Sequence, residues 1–139
     1  MIFPIGDDNV KGGHYPFVSY AFIALNVLVF LYELSLNATP GALNQFIYDY
    51  GALPVEIQNG EDLFTLFTSM FLHGGWMHLI GNMLFLWVFA DNIEATIGSS
   101  RFILFYFLGG LAAHACHIYF NMYSEVPTVG ASGAISAVM

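Results

Sequence analysis

Ser132 stands in the string Gly130-Ala131-Ser132-Gly133-Ala134, with small residues on both sides and an apolar stretch following it. A serine hydroxyl in such a setting is a candidate nucleophile, and Gly130 and Gly133 remove side chains that would block a close approach by backbone or substrate. A residue at the mouth of a helix also has a backbone N–H without an intrahelical acceptor, which suits an anion. Upstream, His78 and Asn82 are spaced i, i+4, so they share one face of a helix, one turn apart. Both side chains donate hydrogen bonds. Two such donors aimed at one point, together with a backbone amide, form an oxyanion hole. Plainer roles fit the same residues. Small-residue strings let membrane helices pack closely, and asparagines bond neighbouring helices. His78 is also a candidate base for Ser132, and spacing does not choose between base and oxyanion donor.

The elements that must position these groups follow from composition. Of the 139 residues, 58% are hydrophobic and 9% charged, against roughly 25% charged in soluble domains. The formal net charge of −8 does not indicate an acidic soluble protein. The acids Asp7, Asp8, Asp49, Glu56, Glu61, Asp62, Asp91, Glu94 and Glu125 lie between apolar runs, and Glu33, near the end of one, reads as snorkelling to the interface. Lys11 and Arg101 are the only strong bases, which excludes nucleic acid as a partner. The single Cys116 cannot form an internal disulfide. The first apolar run is too long for the core of a signal peptide.

Phe17 to Leu36 is long enough to cross a hydrocarbon core of about 30 Å. Leu63 to Ala90 lacks Asp, Glu, Lys and Arg and is broken by Gly74-Gly75, which predicts a short interfacial piece, a bend, and a helix from Trp76 to about Ala90. Phe102 to Phe120 is a third span, and Gly130 to Met139 reads as the start of a fourth. The loop from Asn37 to Asp62 carries Pro40, Pro54 and several aromatics and amides, the composition of an ordered, partly interfacial element. The expected architecture is an all-α polytopic transmembrane bundle of three full spans and part of a fourth. It is a single domain over 1–139, incomplete at its C-terminal end. With the N-terminus inside, Lys11 and Arg101 both fall in the cytoplasm, as the positive-inside rule requires. That orientation brings Ser132, His73 and His78 to one level near the outer face.

Other histidines admit further readings. His73 can cap the bend at Gly74. His114 and His117, three apart, suit interhelical hydrogen bonding better than a metal or haem pair, and His14 lies outside the spans.

The stretch Thr68-Ser-Met-Phe-Leu-His-Gly-Gly-Trp-Met-His-Leu-Ile-Gly-Asn-Met83, followed by Gly130-Ala-Ser-Gly-Ala-Ile135, resembles the rhomboid family of intramembrane serine proteases, in a bacterial or archaeal form. The resemblance covers nearly the whole chain in order. It implies Ser132 as the catalytic nucleophile, with His78, Asn82 and the Ser132 amide as the oxyanion hole. Gly130 and Gly133 match the Gly-x-Ser-Gly motif, and His73 matches a structural histidine. Glu94, Gly98 and Arg101 resemble a structural pattern in the turn after the second helix, and His117 and Asn121 a recurrent feature of the third span. The family's general base is a histidine on a later helix, absent from these residues. The resemblance therefore makes His78 an oxyanion donor and leaves the 139 residues inactive by themselves.

The implied activity is cleavage of transmembrane segments of other proteins within the lipid bilayer of a prokaryotic plasma membrane, with no metal or cofactor. Two departures stand out. Glu61-Asp-Leu-Phe-Thr65 lacks an arginine common in this loop, and Ser136 stands where one branch carries a tyrosine. The alternatives are a rhomboid-like pseudoprotease that binds membrane clients and a metal or haem binder using His73, His78, His114 and His117. Substrate identity and oligomeric state have no signal in the sequence.

Overall fold

A computed structural model describes residues 15–130. Lys11, His14, Ser132, Gly133 and the fourth helix expected after Gly130 lie outside the described residues. Helix α1 spans Phe17–Leu36, matching the first apolar run. Two short helices follow in the long loop, α2 at Ala42–Tyr50 and α3 at Pro54–Gln58. Next come α4 at Thr65–Thr68 and a 3₁₀ turn at Ser69–Phe71. After the Gly74-Gly75 bend, α5 (Trp76–Phe85) runs through a π-helical turn (Leu86–Ala90) into α6 (Asp91–Ile97). Helix α7 covers Ser99–Phe120. The architecture is the expected all-α membrane type; among the described residues the sole β contact is an isolated bridge between Ala52 and Thr128.

The sidedness of α1 identifies its solvent. Its buried residues are Ser19, Asn26, Phe30 and Glu33, while Leu25, Leu28, Leu31 and Tyr32 are exposed. A helix of a soluble domain turns its apolar side inward; this one does the reverse, as a helix surrounded by lipid must. Only 22% of the apolar window of α1, and the same share of α7, is buried inside the protein. Helix α7 buries a narrow stripe, Phe102, Tyr106, Gly110 and His114, and exposes Ile103, Leu104, Phe105 and Leu108.

Leu86, Ala90, Phe102 and Tyr106 form the apolar centre, with Phe22 of α1 packed against them. The Phe22 and Tyr106 ring centroids are 4.7 Å apart. Lipid is as apolar as these side chains, so close packing and hydrogen bonds supply the association rather than removal from water.

The second span differs from its expected end. The helix continues past Asp91 to Ile97, because Glu94 turns inward rather than marking an exit to water. Its carboxylate accepts the N–H of Val18 at 2.8 Å and of Ser19 at 2.6 Å, the Ser19 hydroxyl at 2.7 Å and the Ser99 hydroxyl at 2.6 Å. Two of those donors are N–H groups of the first turn of α1, which have no partner within the helix. Gly98, at φ +89°, makes the reversal into α7 with a backbone that side-chain-bearing residues rarely adopt.

The long loop is ordered, as its composition suggests, and it docks on the segment after α7. Ala52 and Thr128 exchange both backbone hydrogen bonds, at 3.1 and 2.8 Å. Val55 N–H bonds the Ser124 carbonyl, and Gln58 Oε1 accepts the N–H of Tyr123. Gly51 is buried in this seam, where an added Cβ would lie 2.5 Å from the Ile47 carbonyl oxygen and 2.9 Å from Pro127 Cβ. Its φ of −75° is ordinary, so space alone demands glycine. Gly51→Ala is expected to push the Pro127–Thr128 stretch off the loop and to destabilise the protein by about 1–3 kcal/mol, measured by thermal unfolding in lipid bicelles.

Candidate active site

The entry to α5 is built by two residues of α1. Glu33 Oε1 accepts the N–H of His73 at 3.2 Å, and Phe30 meets Trp76 edge to face with centroids 5.0 Å apart. Glu33 is 3% exposed. It does not snorkel, which corrects the expectation: its carboxylate faces inward because the bend offers it a backbone donor. One residue on, Gly74 N–H donates to His78 Nδ1 at 3.3 Å. The two N–H groups ahead of the helix are thus taken by a carboxylate from α1 and by an imidazole from the first turn of α5 itself.

The Gly74 contact assigns the His78 tautomer. With Nδ1 accepting, the ring proton of neutral His78 sits on Nε2, which is then a donor. Asn82 follows one turn later on the same face and is buried, whereas His78 is half-buried. Donors at two depths along one face suit the reception of a carbonyl oxygen that becomes negative. His73 packs against His78 with ring centroids 5.1 Å apart and is itself 2% exposed. Among the described residues neither ring nitrogen of His73 makes a hydrogen bond. Its observed contacts are packing against His78 and a backbone N–H held by Glu33, a supporting position.

Gly130 is the part of the serine string that the structure describes. Its N–H donates to the Ser69 carbonyl at 2.8 Å, and its φ is +113°. That conformation favours glycine, so Gly130 serves the backbone path as well as close approach. Gly130 is therefore anchored to the 3₁₀ turn four residues ahead of His73, at the same end of α5 as His78.

His114 and His117 separate. His114 is buried and lies 3.0 Å from the Ser69 hydroxyl, an interhelical hydrogen bond. His117 is exposed and bonds Asn121, whose amide donates to the His117 carbonyl at 2.9 Å. No group of three His, Cys, Asp or Glu side chains able to hold a metal occurs among the described residues. Glu33 and Ser69 are the supporting residues that sequence reasoning did not assign to the site. The only signal for Glu33 was its charge inside an apolar run.

Replacing Glu33 separates its hydrogen bond from its charge. Glu33→Leu leaves the His73 N–H buried without an acceptor and is expected to cost roughly 1–3 kcal/mol. Glu33→Gln keeps a carbonyl oxygen in place and is expected to lose much less. Thermal unfolding combined with amide exchange at His73 measures both.

Comparison with known proteins shows the family. The Rhomboid domain family matches residues 60–139. Rhomboid protease GluP of Bacillus subtilis (strain 168) is 35% identical over 121 residues, covering 86% of this chain and 23% of that protein. Putative rhomboid protease YdcA of the same organism is 35% identical over 79 residues, covering 57% of this chain and 39% of that protein. Inactive rhomboid protein 1 of Drosophila melanogaster is 28% identical over 108 residues, covering 77% of this chain and 7% of that protein. The chain thus spans less than two fifths of the length of each of these relatives. With a family match over more than half its length and a 35% identical relative along most of it, the chain belongs to the rhomboid family of integral membrane proteins.

Proposed function

We propose that the protein is an intramembrane serine endopeptidase that cleaves transmembrane segments of other membrane proteins. The observation that carries the reading is the Gly74–His78 hydrogen bond, which leaves Nε2–H of His78 as a donor beside Asn82, at the end of α5 where Gly130 is anchored. A His78 acting as base would need an acceptor nitrogen toward the serine; Nδ1 already accepts from Gly74. Membership in a family whose relatives include proteins named as proteases supports the same assignment.

In the proposed reaction Ser132 Oγ attacks the scissile carbonyl carbon. The hydroxyl proton passes to a histidine that the family resemblance puts on a later helix, beyond Met139. The carbonyl oxygen becomes an oxyanion held by His78, Asn82 and the Ser132 amide. Collapse breaks the C–N bond, the histidine protonates the leaving amine, and an acyl-enzyme remains. Water then attacks the acyl carbon as the same histidine takes its proton; the acyl C–Oγ bond breaks, the histidine returns that proton to Ser132 Oγ, and the carboxylic product leaves. The N-terminus is assigned to the cytoplasm, and the site to the outer half of the membrane. His73, Gly130 and Gly133 are structural members of the site. The substrate and the lipid around it are the only partners the chemistry needs.

In the full-length protein reconstituted in lipid vesicles, Ser132→Ala is expected to abolish both fluorophosphonate labelling and cleavage of a fluorogenic transmembrane-segment reporter. His78→Ala and Asn82→Ala are each expected to lower the cleavage rate by about 10²-fold or more. Undiminished cleavage in Ser132→Ala would overturn the nucleophile assignment. A folded wild-type protein that neither labels nor cleaves would instead favour the client-binding alternative, a member without protease activity; one relative, of Drosophila melanogaster, is named inactive.

A further inference from the structure

Ser69 joins three parts of the molecule. Its carbonyl accepts the N–H of Gly130 at 2.8 Å and that of Leu72 at 3.3 Å. Its hydroxyl lies 3.0 Å from His114 Nε2, the last buried residue of the α7 stripe. The preceding Thr68 hydroxyl donates to the Tyr50 carbonyl at 2.7 Å, at the end of α2. Ser69 is fully buried and His114 nearly so, at 7% exposure.

A 3₁₀ turn of three residues has poor internal hydrogen-bond geometry and little rigidity of its own. The orientation of the Ser69 peptide group, and so of the carbonyl that receives Gly130, is set from outside by whatever holds the side chain. His114 does this from the wall of α7. The bond is deep within the protein, where an unpaired hydroxyl or imidazole nitrogen is costly, so neither group has a good alternative to the other.

We propose that Ser69 and His114 are positioning residues for the nucleophile: the pair fixes the Ser69 carbonyl, the carbonyl holds Gly130, and Gly130 sets the start of the segment that carries Ser132. The inference rests on the assignment of Ser132. It gives α7 a specific task at the site, that of fixing the depth and direction from which the serine arrives, without any group of α7 touching substrate.

The test uses the full-length protein in lipid vesicles, with a fluorophosphonate as the probe and amide exchange at Gly130 as a readout independent of chemistry. His114→Leu is expected to speed Gly130 exchange at least tenfold. It should also lower the maximal rate of Ser132 labelling at least tenfold, while the probe concentration giving half that rate changes less than twofold. His114→Gln, which can still bond the Ser69 hydroxyl, is expected to restore both readouts to within threefold of wild type. A purely structural role would move the melting temperature but not this division between rate and half-saturation at temperatures where the protein is folded. Ser69→Ala removes the same hydrogen bond by a smaller change and is expected to act in the same direction, which keeps the test decisive if His114→Leu does not fold. Wild-type exchange at Gly130 in the folded variants would overturn the proposal. Faster exchange with no labelling in the wild type would leave the pin intact and remove the serine-protease reading.

Discussion

Helix α1 faces inward with its polar residues, and this inversion governs the rest of the structure. In lipid the outer surface of a helix gains nothing by being polar, and every polar side chain turned inward must find a partner there. Ser19 lies at the start of α1 and grips Glu94; Glu33, near its end, holds His73. These contacts lie close to the two ends of the helical run from Trp76 to Ile97, so α1 fastens that run antiparallel to itself at both ends. Between those ends Phe22 packs against the centre made by Leu86 and Ala90 of the run with Phe102 and Tyr106 of α7. Remove the inward polar set and the packing that remains has no means of choosing one axial position over another.

The candidate site is a consequence of this fastening. The Glu33 carboxylate engages the bend just before α5, and the imidazole of His78 completes the same bend from within the helix. The hydrogen bond that satisfies a backbone donor thereby also sets which nitrogen of His78 carries the proton. A structural requirement of helix initiation and the donor that the proposed oxyanion hole needs are met by one contact. Gly130 is tied to the Ser69 carbonyl in the 3₁₀ turn ahead of α5, and the Ala52–Thr128 bridge holds the chain two residues earlier.

Much of this was legible in the sequence where hydropathy and spacing were enough. The bounds of α1, the break at Gly74-Gly75 and the ordered long loop all follow from runs, breakers and composition. The pairing of His78 with Asn82 follows from helical spacing. What could not be read is direction. Hydropathy places Glu33 at the end of a span and Glu94 beyond one, and both then look like residues on their way to water. In the structure both face the interior, because unsatisfied N–H groups from another helix or bend await them. Ser69 was invisible for a related reason. A serine in an apolar segment has no periodicity of its own, and its value depends on His114, 45 residues later in the chain. The docking of Ala52 on Thr128 is similarly a long-range backbone pairing between two stretches without strand character.

The π-helical turn at Leu86–Ala90 has a consequence for how the second span meets two demands at once. In a uniform α-helix each residue advances by about 100°, so the azimuth of Asn82 would dictate that of Glu94. One wider turn between them inserts a fixed rotational offset, so the second half is out of phase with the first. The half before that turn can carry His78 and Asn82 on one face while the half after it presents Glu94 to Ser19. The span is thus two oriented surfaces on one continuous axis, and the wide turn is the joint that lets each be aimed separately.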